Sequence, residues 1–274
     1  MPAEFDRLAR AVEELAYDSL WTGDHVVFPS DVRSPYPYNA TGAFPFDRDQ
    51  PLFEPLGLLA YLAGRTTTVR LSVSVLVLPM RNPLVTARML AGIDALARGR
   101  LELGIGVGWL REEFEALAAD FAARAEVTEE WIAILRQLWT AGSPAAFDGR
   151  HYRFPPLALV PRPESRIPIL IGGNSLPALR RAARVGDGWH GVRLAPARVR
   201  EAVTRLRAGL VEAGRDAAGF RVVLRASVTP DDAARQLESY AEAGVDELIV
   251  EVPDASTDRR LHVLAAVREA RRRL

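Results

Sequence analysis

Two periodicities alternate along the chain. Over residues 4–16, Phe5, Leu8, Ala9, Val12 and Leu15 recur at helical spacing, which predicts an amphipathic helix. A short apolar run at 19–23 then reads as a strand that delivers Asp24 and His25 at its C-terminal end. Residues 51–64 predict a second helix, and 69–78, rich in Val, Leu and Ser, form the most strand-like run in the protein. Asn82 followed by Pro83 is a preferred helix start. Further strands are predicted at 100–107, 168–171, 188–192, 221–228 and 246–252. Helices are predicted between them at 111–139, from Asn174 or Ser175 to about Val185, at 196–213, from Thr229-Pro230-Asp231-Asp232 onward, and at the C-terminus.

Two stretches break the alternation. Residues 26–50 are crowded with Pro29, Pro35, Tyr36, Pro37, Tyr38, Phe44, Pro45 and Phe46, and a loop that long serves as a lid or binding loop or is surface chain. After a stop at Gly142, Ser143 and Pro144, residues 145–167 are Pro-rich with aromatics at Phe147, Tyr152 and Phe154, the mark of a small hairpin. Strands alternating with helices at this spacing imply a parallel sheet. Some 250 residues of the pattern without a linker or repeat imply one TIM barrel over 1–274, with insertions at about 26–50 and 141–167, before a doubly wound sheet. Seven strands are legible. A barrel of seven would leave unpaired edges beside the first and last of them.

Composition narrows the function. The 274 residues carry no formal net charge, so neither a nucleic-acid footprint nor a polybasic membrane contact is expected. There are no cysteines, which removes disulfides and thiolate chemistry, and all 35 basic residues are arginine, which removes Schiff-base lysines. His151, His190 and His262 are too scattered for a metal site. No apolar span has bilayer length and residues 1–20 lack a basic start and apolar core, so a soluble, cytoplasmic protein is expected.

The stretch 99–114, G-R-L-E-L-G-I-G-V-G-W-L-R-E-E-F, reads as a buried strand opening into a turn, with Gly104, Gly106 and Gly108 stripping its far end of side chains. Glycine is costly inside a strand, so close approach of something flat or bulky is expected there, the alternative being a plain tight turn. It is not the dinucleotide fingerprint, because Arg111 stands at the third glycine position. Gly172, Gly173, Asn174 and Ser175 lie between a strand and a helix start, where backbone N–H groups and the dipole suit a phosphate, or where the glycines serve only the turn. Glu112, Glu113 and Glu115 suit the first turn of a helix and need no catalytic role; Arg81 could reach an anion or a structural partner.

That stretch, with D-S-L-W-T-G-D-H (18–25), V-L-V-L-P-M-R-N-P (75–83), I-G-G-N-S (171–175) and G-D-G-W-H (186–190), resembles the bacterial luciferase-like oxidoreductases, in particular the branch that uses the deazaflavin coenzyme F420. The resemblance implies an eight-stranded TIM barrel with a strand before the first helix, so either the sequence starts late or the barrel lacks that strand, and it implies a hairpin excursion near 145–167. It implies that Asp24 touches the deazaflavin, that His25 faces the hydride-transfer site, and that Ser74 and Val75 hold a non-proline cis peptide behind the ring. Gly106 and Gly108 belong to the cofactor signature. Trp109 stands where the family's sugar-phosphate dehydrogenases have a glutamate acid, and an indole cannot supply that proton, so Trp109 is expected to wall the pocket of an apolar substrate, or to be core. An F420-dependent oxidoreductase acting on a small, mostly apolar molecule is expected, with His25 as proton partner. An FMN-dependent monooxygenase of the same fold and a non-catalytic flavin carrier are the alternatives, and a homodimer through the first two or three helices is expected.

Overall fold

In the computed structural model, residues 2–43, 51–140, 144–252 and 255–274 are described. Phe44, Pro45, Phe46, Gly142 and Ser143 lie outside them. The chain opens on α1 (Pro2–Glu14), then β1 (Ser19–Thr22), α2 (Pro55–Ala63), β2 (Arg70–Val73), β3 (Leu76–Val77), a 3-10 turn at Leu78–Met80 and α3 (Pro83–Ala97). It continues through β4 (Leu103–Gly106), α4 (Arg111–Ala116), α5 (Arg124–Trp139), β5 (Ala145–Asp148), β6 (Arg153–Leu157), β7 (Ile169–Gly172), α6 (Leu176–Val185) and β8 (Gly188–Val192). The last elements are α7 (Pro196–Glu212), β9 (Arg221–Ser227), a 3-10 turn at Pro230–Asp232, α8 (Ala233–Glu242), β10 (Glu247–Glu251) and α9 (Thr257–Arg272).

All ladders but one are parallel. The order β10-β9-β8-β7-β4-β3 forms one sheet and β1-β2 another, joined by the Leu71–Leu101 bridge and by the chain itself where β2 runs into β3. The antiparallel pair β5-β6 stands apart as the expected hairpin. Alternate residues of each barrel strand face outward into one continuous apolar layer beneath the helices: Leu71 and Val73, Leu103 and Ile105, Ile169 and Ile171, Val222 and Leu224.

Four sequence readings are corrected. The second helix begins at Pro55, where Glu54 caps it by accepting Gly57 N–H at 2.9 Å, so residues 51–54 lie outside it. The region at 111–139 is two helices, because Ala118 takes a left-handed turn (φ 52°) and Asp120 Oδ1 accepts Ala122 and Ala123 N–H at 2.8 and 3.1 Å, starting a new helix. The run at 69–78 is two strands rather than one, β2 and β3, parted at Ser74–Val75, where the peptide is cis as the resemblance implied. The helix at Thr229–Asp232 is first a 3-10 turn, with α8 starting at Ala233.

Seven barrel positions are filled, counting β2 and β3 as one, and among the described residues no strand precedes α1. No backbone ladder joins β1 to β10. Side chains cross that seam instead: Ser19 Oγ donates to Glu247, Arg70 Nη2 reaches Glu247 at 2.5 Å, and Arg221 pairs with both Glu247 and the fully buried Glu102. Burial pushes the Glu102 carboxyl up, against the pull of Arg221. The helices flanking the two edge strands also meet: Tyr17 Oη donates to Leu264 O at 2.8 Å and Arg7 pairs with Asp258 at 2.7 Å. At the far end of α1, Glu13 Oε1 accepts Thr67, Thr68 and Val69 N–H; burial pushes this carboxyl up, and those donors outweigh it and hold it at about 2.

Candidate active site

The C-terminal ends of the strands gather the residues singled out in the sequence. Asp24 and His25 follow β1 directly and part company there. Both Asp24 oxygens are engaged: Arg81 grips them at 2.8 and 2.7 Å and Val77 N–H donates at 2.8 Å. Burial pulls the Arg81 guanidinium down, and the Asp24 carboxylate more than offsets it. Arg81 also reaches Glu54 at 3.3 Å, so Asp24 and Arg81 tie the exit of β1 to β3 and the start of α2. Arg81 is therefore a structural partner.

His25 turns the other way. Its Nδ1 lies 2.9 Å from Glu113 Oε2, and Glu113 Oε1 accepts Val26 and Val27 N–H at 2.6 and 3.2 Å. Glu112, one residue earlier, accepts Arg33 and Ser34 N–H at 2.8 and 3.0 Å. Burial pushes Glu112 up, but the Ser34 hydroxyl and these N–H groups prevail and hold it at about 2. The first turn of α4 thus collects four backbone donors of the loop after β1 and orients His25. The sequence reading of these glutamates as dipole partners alone is incomplete.

Anchored this way, residues 26–43 fold over the mouth. Tyr36 is buried, edge-on to Trp109 with ring centroids 5.2 Å apart and to Tyr38 at 5.5 Å. Trp109 stands edge-on to His25 at 6.3 Å, and Phe28 lies 4.9 Å from the imidazole. The Tyr38 hydroxyl sits 3.9 Å from where a Cβ on Gly173 would stand, and burial raises its pKa. Trp109 is half-buried between the Tyr36 and His25 rings.

Val75 explains the glycines. A Cβ at Gly106 would meet Val75 Cγ2 at 2.5 Å, and at Gly172 it would meet Val75 Cγ1 at 2.8 Å. What approaches the bare backbone of β4 and β7 is therefore the side chain of Val75, carried inward where the Ser74–Val75 peptide is cis. Gly108 answers to a different need: its φ is +84° and a Cβ would strike the Phe114 ring at 2.5 Å.

At the β7–α6 junction the local structure uses much of the expected anion cradle. Gly173 N–H donates to His190 O at 3.1 Å, Asn174 is clasped to Val192 by two hydrogen bonds of 2.8 and 3.0 Å, and Ser175 caps α6 by accepting Ala178 N–H. What remains for an anion is the N-terminal end of α6 itself.

Two polar residues missed in the sequence face the barrel interior. His190 is fully buried against Trp21, with neither ring nitrogen partnered by protein, and burial, with Arg225 nearby, holds it at about 3. Arg225 Nη1 donates to Ser74 O and lies as close to Ser74 Oγ, both at 3.2 Å. Its Nε is buried without a hydrogen bond. The only signal was strand period: Arg221, Val223 and Arg225 alternate with the outward Val222 and Leu224. Among the described residues no cluster could hold a metal ion, and no helix is long and apolar enough to cross a membrane.

A parallel α/β barrel with an aromatic-walled mouth, an oriented histidine and an inward bulge defines the class. The luciferase-like monooxygenase family model matches residues 1–273, and the chain belongs to that family. The uncharacterized protein Rv0940c of Mycobacterium tuberculosis is 38% identical over 185 residues, 67% of this chain and 64% of that protein. The chain thus spans somewhat under two thirds of that relative's length. The pyrimidine monooxygenase RutA of Allorhizobium ampelinum is 31% identical over 202 residues, 70% of this chain and 54% of RutA. Among solved structures, an F420-dependent secondary alcohol dehydrogenase in complex with an F420–acetone adduct superposes with a TM-score of 0.80 at 18% identity, over 98% of this chain and 94% of that one.

Proposed function

We propose that this protein is an F420-dependent oxidoreductase that passes a hydride between the deazaflavin and a small, mostly apolar substrate. The observation that carries the reading is His25, held through Nδ1 by Glu113 beside Trp109 at the barrel mouth. With the Nδ1 proton given to Glu113, the imidazole carries its lone pair on Nε2 and can exchange a proton with a substrate oxygen. Trp109, Tyr36 and Phe28 exclude water and favour an apolar substrate.

The residues present fit a flat ring with a polar edge. Val75 offers an apolar contact, the tyrosines offer walls, and the unpartnered buried nitrogens of Arg225 and His190 await hydrogen-bonding atoms. When bound, the deazaflavin would supply two-electron hydride chemistry. Gly106, Gly108, Ser74 and Val75 would shape the floor beneath it, and the start of α6 at Gly172–Ser175 would take its phosphate. Asp24, with both oxygens held by Arg81 and Val77 N–H, would support the site by fixing the exit of β1 rather than by touching the ring. The signature at 99–114 and the fold of the F420-dependent alcohol dehydrogenase support F420. The likeness to RutA favours a second reading, an FMN-dependent monooxygenase.

A screen of alcohols, enones and aromatic compounds, followed through the absorbance of F420, tests the first reading; His25→Ala should lower turnover more than cofactor binding. Turnover with FMN and oxygen alone would establish the second. The reading includes a homodimer through α1–α3, supported by the exposed stripe Val85, Met89 and Leu96 on α3, and light scattering across micromolar dilution tests it.

A further inference from the structure

Inside the barrel, three inward residues of β9 stand one above another. Arg221 belongs to the ion network at the bottom, Val223 is buried at mid-height, and Arg225 reaches the top beside Ser74. The surroundings of Arg225 leave its charge poorly matched. Glu251 lies 3.7 Å from Arg225 Nε but is gripped more closely by Arg193, at 2.7 and 2.8 Å. Two guanidiniums therefore share one carboxylate. The other titratable groups facing Arg225, Tyr38 and His190, are both neutral near pH 7. The buried Nε of Arg225 has no hydrogen bond, as is also so of Arg70, Arg100, Arg124, Arg136 and Arg268; what sets Arg225 apart is its place at the top of the barrel beside Ser74.

We propose that Arg225 is the residue that holds the negative charge of the reduced deazaflavin, contacting the carbonyl and nitrogen edge of its pyrimidine ring from the barrel side. The inference rests on the F420 reading above. A ring that accepts a hydride, two electrons and one proton, without a further proton gains one negative charge, and that charge is delocalised over this edge. A cation fixed against it favours the reduced form over the oxidised one and so raises the midpoint potential of the bound cofactor. Arg225 is suited to this because its orientation is set before any ring arrives, by two contacts to Ser74. His25 approaches the mouth from α4 and the loop after β1, so proton exchange and ring charge are handled by different elements.

The test is made on the protein reconstituted with F420, with Arg225→Gln and Arg225→Lys compared with wild type. Dissociation constants are measured for oxidised and reduced F420, together with the midpoint potential of the bound cofactor. Arg225→Gln should bind oxidised F420 nearly as wild type does and reduced F420 about tenfold more weakly, which lowers the potential by ~30 mV for a two-electron couple. Arg225→Lys should recover most of the loss, and Arg225→Met, expected to behave as Arg225→Gln does, carries the test if the glutamine variant does not fold. Equal weakening of both forms, or no change in either, in the uncharged variant would overturn the assignment while leaving the F420 reading intact. Failure of wild type to bind F420 at all would overturn both.

Discussion

The Nδ1 atom of His25 and Oε2 of Glu113, 88 residues apart in the chain, lie 2.9 Å from one another at the barrel mouth. Glu113 also accepts two loop N–H groups, so one carboxylate fixes the backbone that carries the histidine and the tautomer of its ring. Glu113→Gln separates these roles. The amide oxygen can still accept from the loop, while its NH2 donates to Nδ1 and drives the imidazole proton to Nε2. Turnover should fall about a hundredfold, within the range of general acid–base catalysis, with KM and cofactor affinity changed little. Unchanged kcat would remove Glu113 from the account.

Val75 and Gly106 make a steric pair. Gly106→Ala places a methyl 2.5 Å from Val75 Cγ2 and should cost about 1–3 kcal/mol, the usual cost of overpacking. In urea unfolding, Val75→Ala combined with it should recover about 1 kcal/mol or more relative to the sum of the single changes. Strict additivity would mean that Val75 is not what the glycine accommodates.

His190 predicts an acid sensitivity. Its folded pKa of about 3 lies below the unfolded value of about 6.5, so the unfolded chain binds the extra proton between them. The stability this neutral histidine retains is complete above pH 6.5 and is lost as pH falls toward 3, at up to ~1.4 kcal/mol per unit. Glu112 and Glu13, each held at about 2, extend the loss below pH 4.5. His190→Leu should flatten the slope between pH 6.5 and 5 in urea titrations. Identical slopes in variant and wild type would refute this.

The seam between β1 and β10 depends on Glu247, which Ser19, Arg70 and Arg221 all reach. The pairs are only partly buried, so Glu247→Gln should destabilise by about 2 kcal/mol, between the cost of breaking an exposed pair and a buried one. A loss below about 1 kcal/mol, the size of an exposed pair, would show that the seam does not rely on this carboxylate.

The barrel was legible because its outward residues repeat with period two and its helices announce their starts: Asn82 and Ser175 cap where the sequence says they should. So was the edge left between the first and last strands. The site was legible in part. His25 and Trp109 meet at the mouth, but Glu113 reads in sequence as one more acid at a helix start, and nothing local reveals a partner 88 residues away. The glycines were read as room for a ligand, whereas Val75, some 30 residues earlier, fills that space at Gly106 and the Phe114 ring fills it at Gly108. Arg225 and His190 look like ordinary strand residues until closure of the barrel turns their side chains inward.

Parallel equilibrium titrations of the purified protein with F420 and with FMN, read by fluorescence, test the central claim most directly. The account predicts saturable binding of F420 at least about tenfold tighter than FMN, a difference of ~1.4 kcal/mol. Tight binding of FMN with no binding of F420 would contradict it.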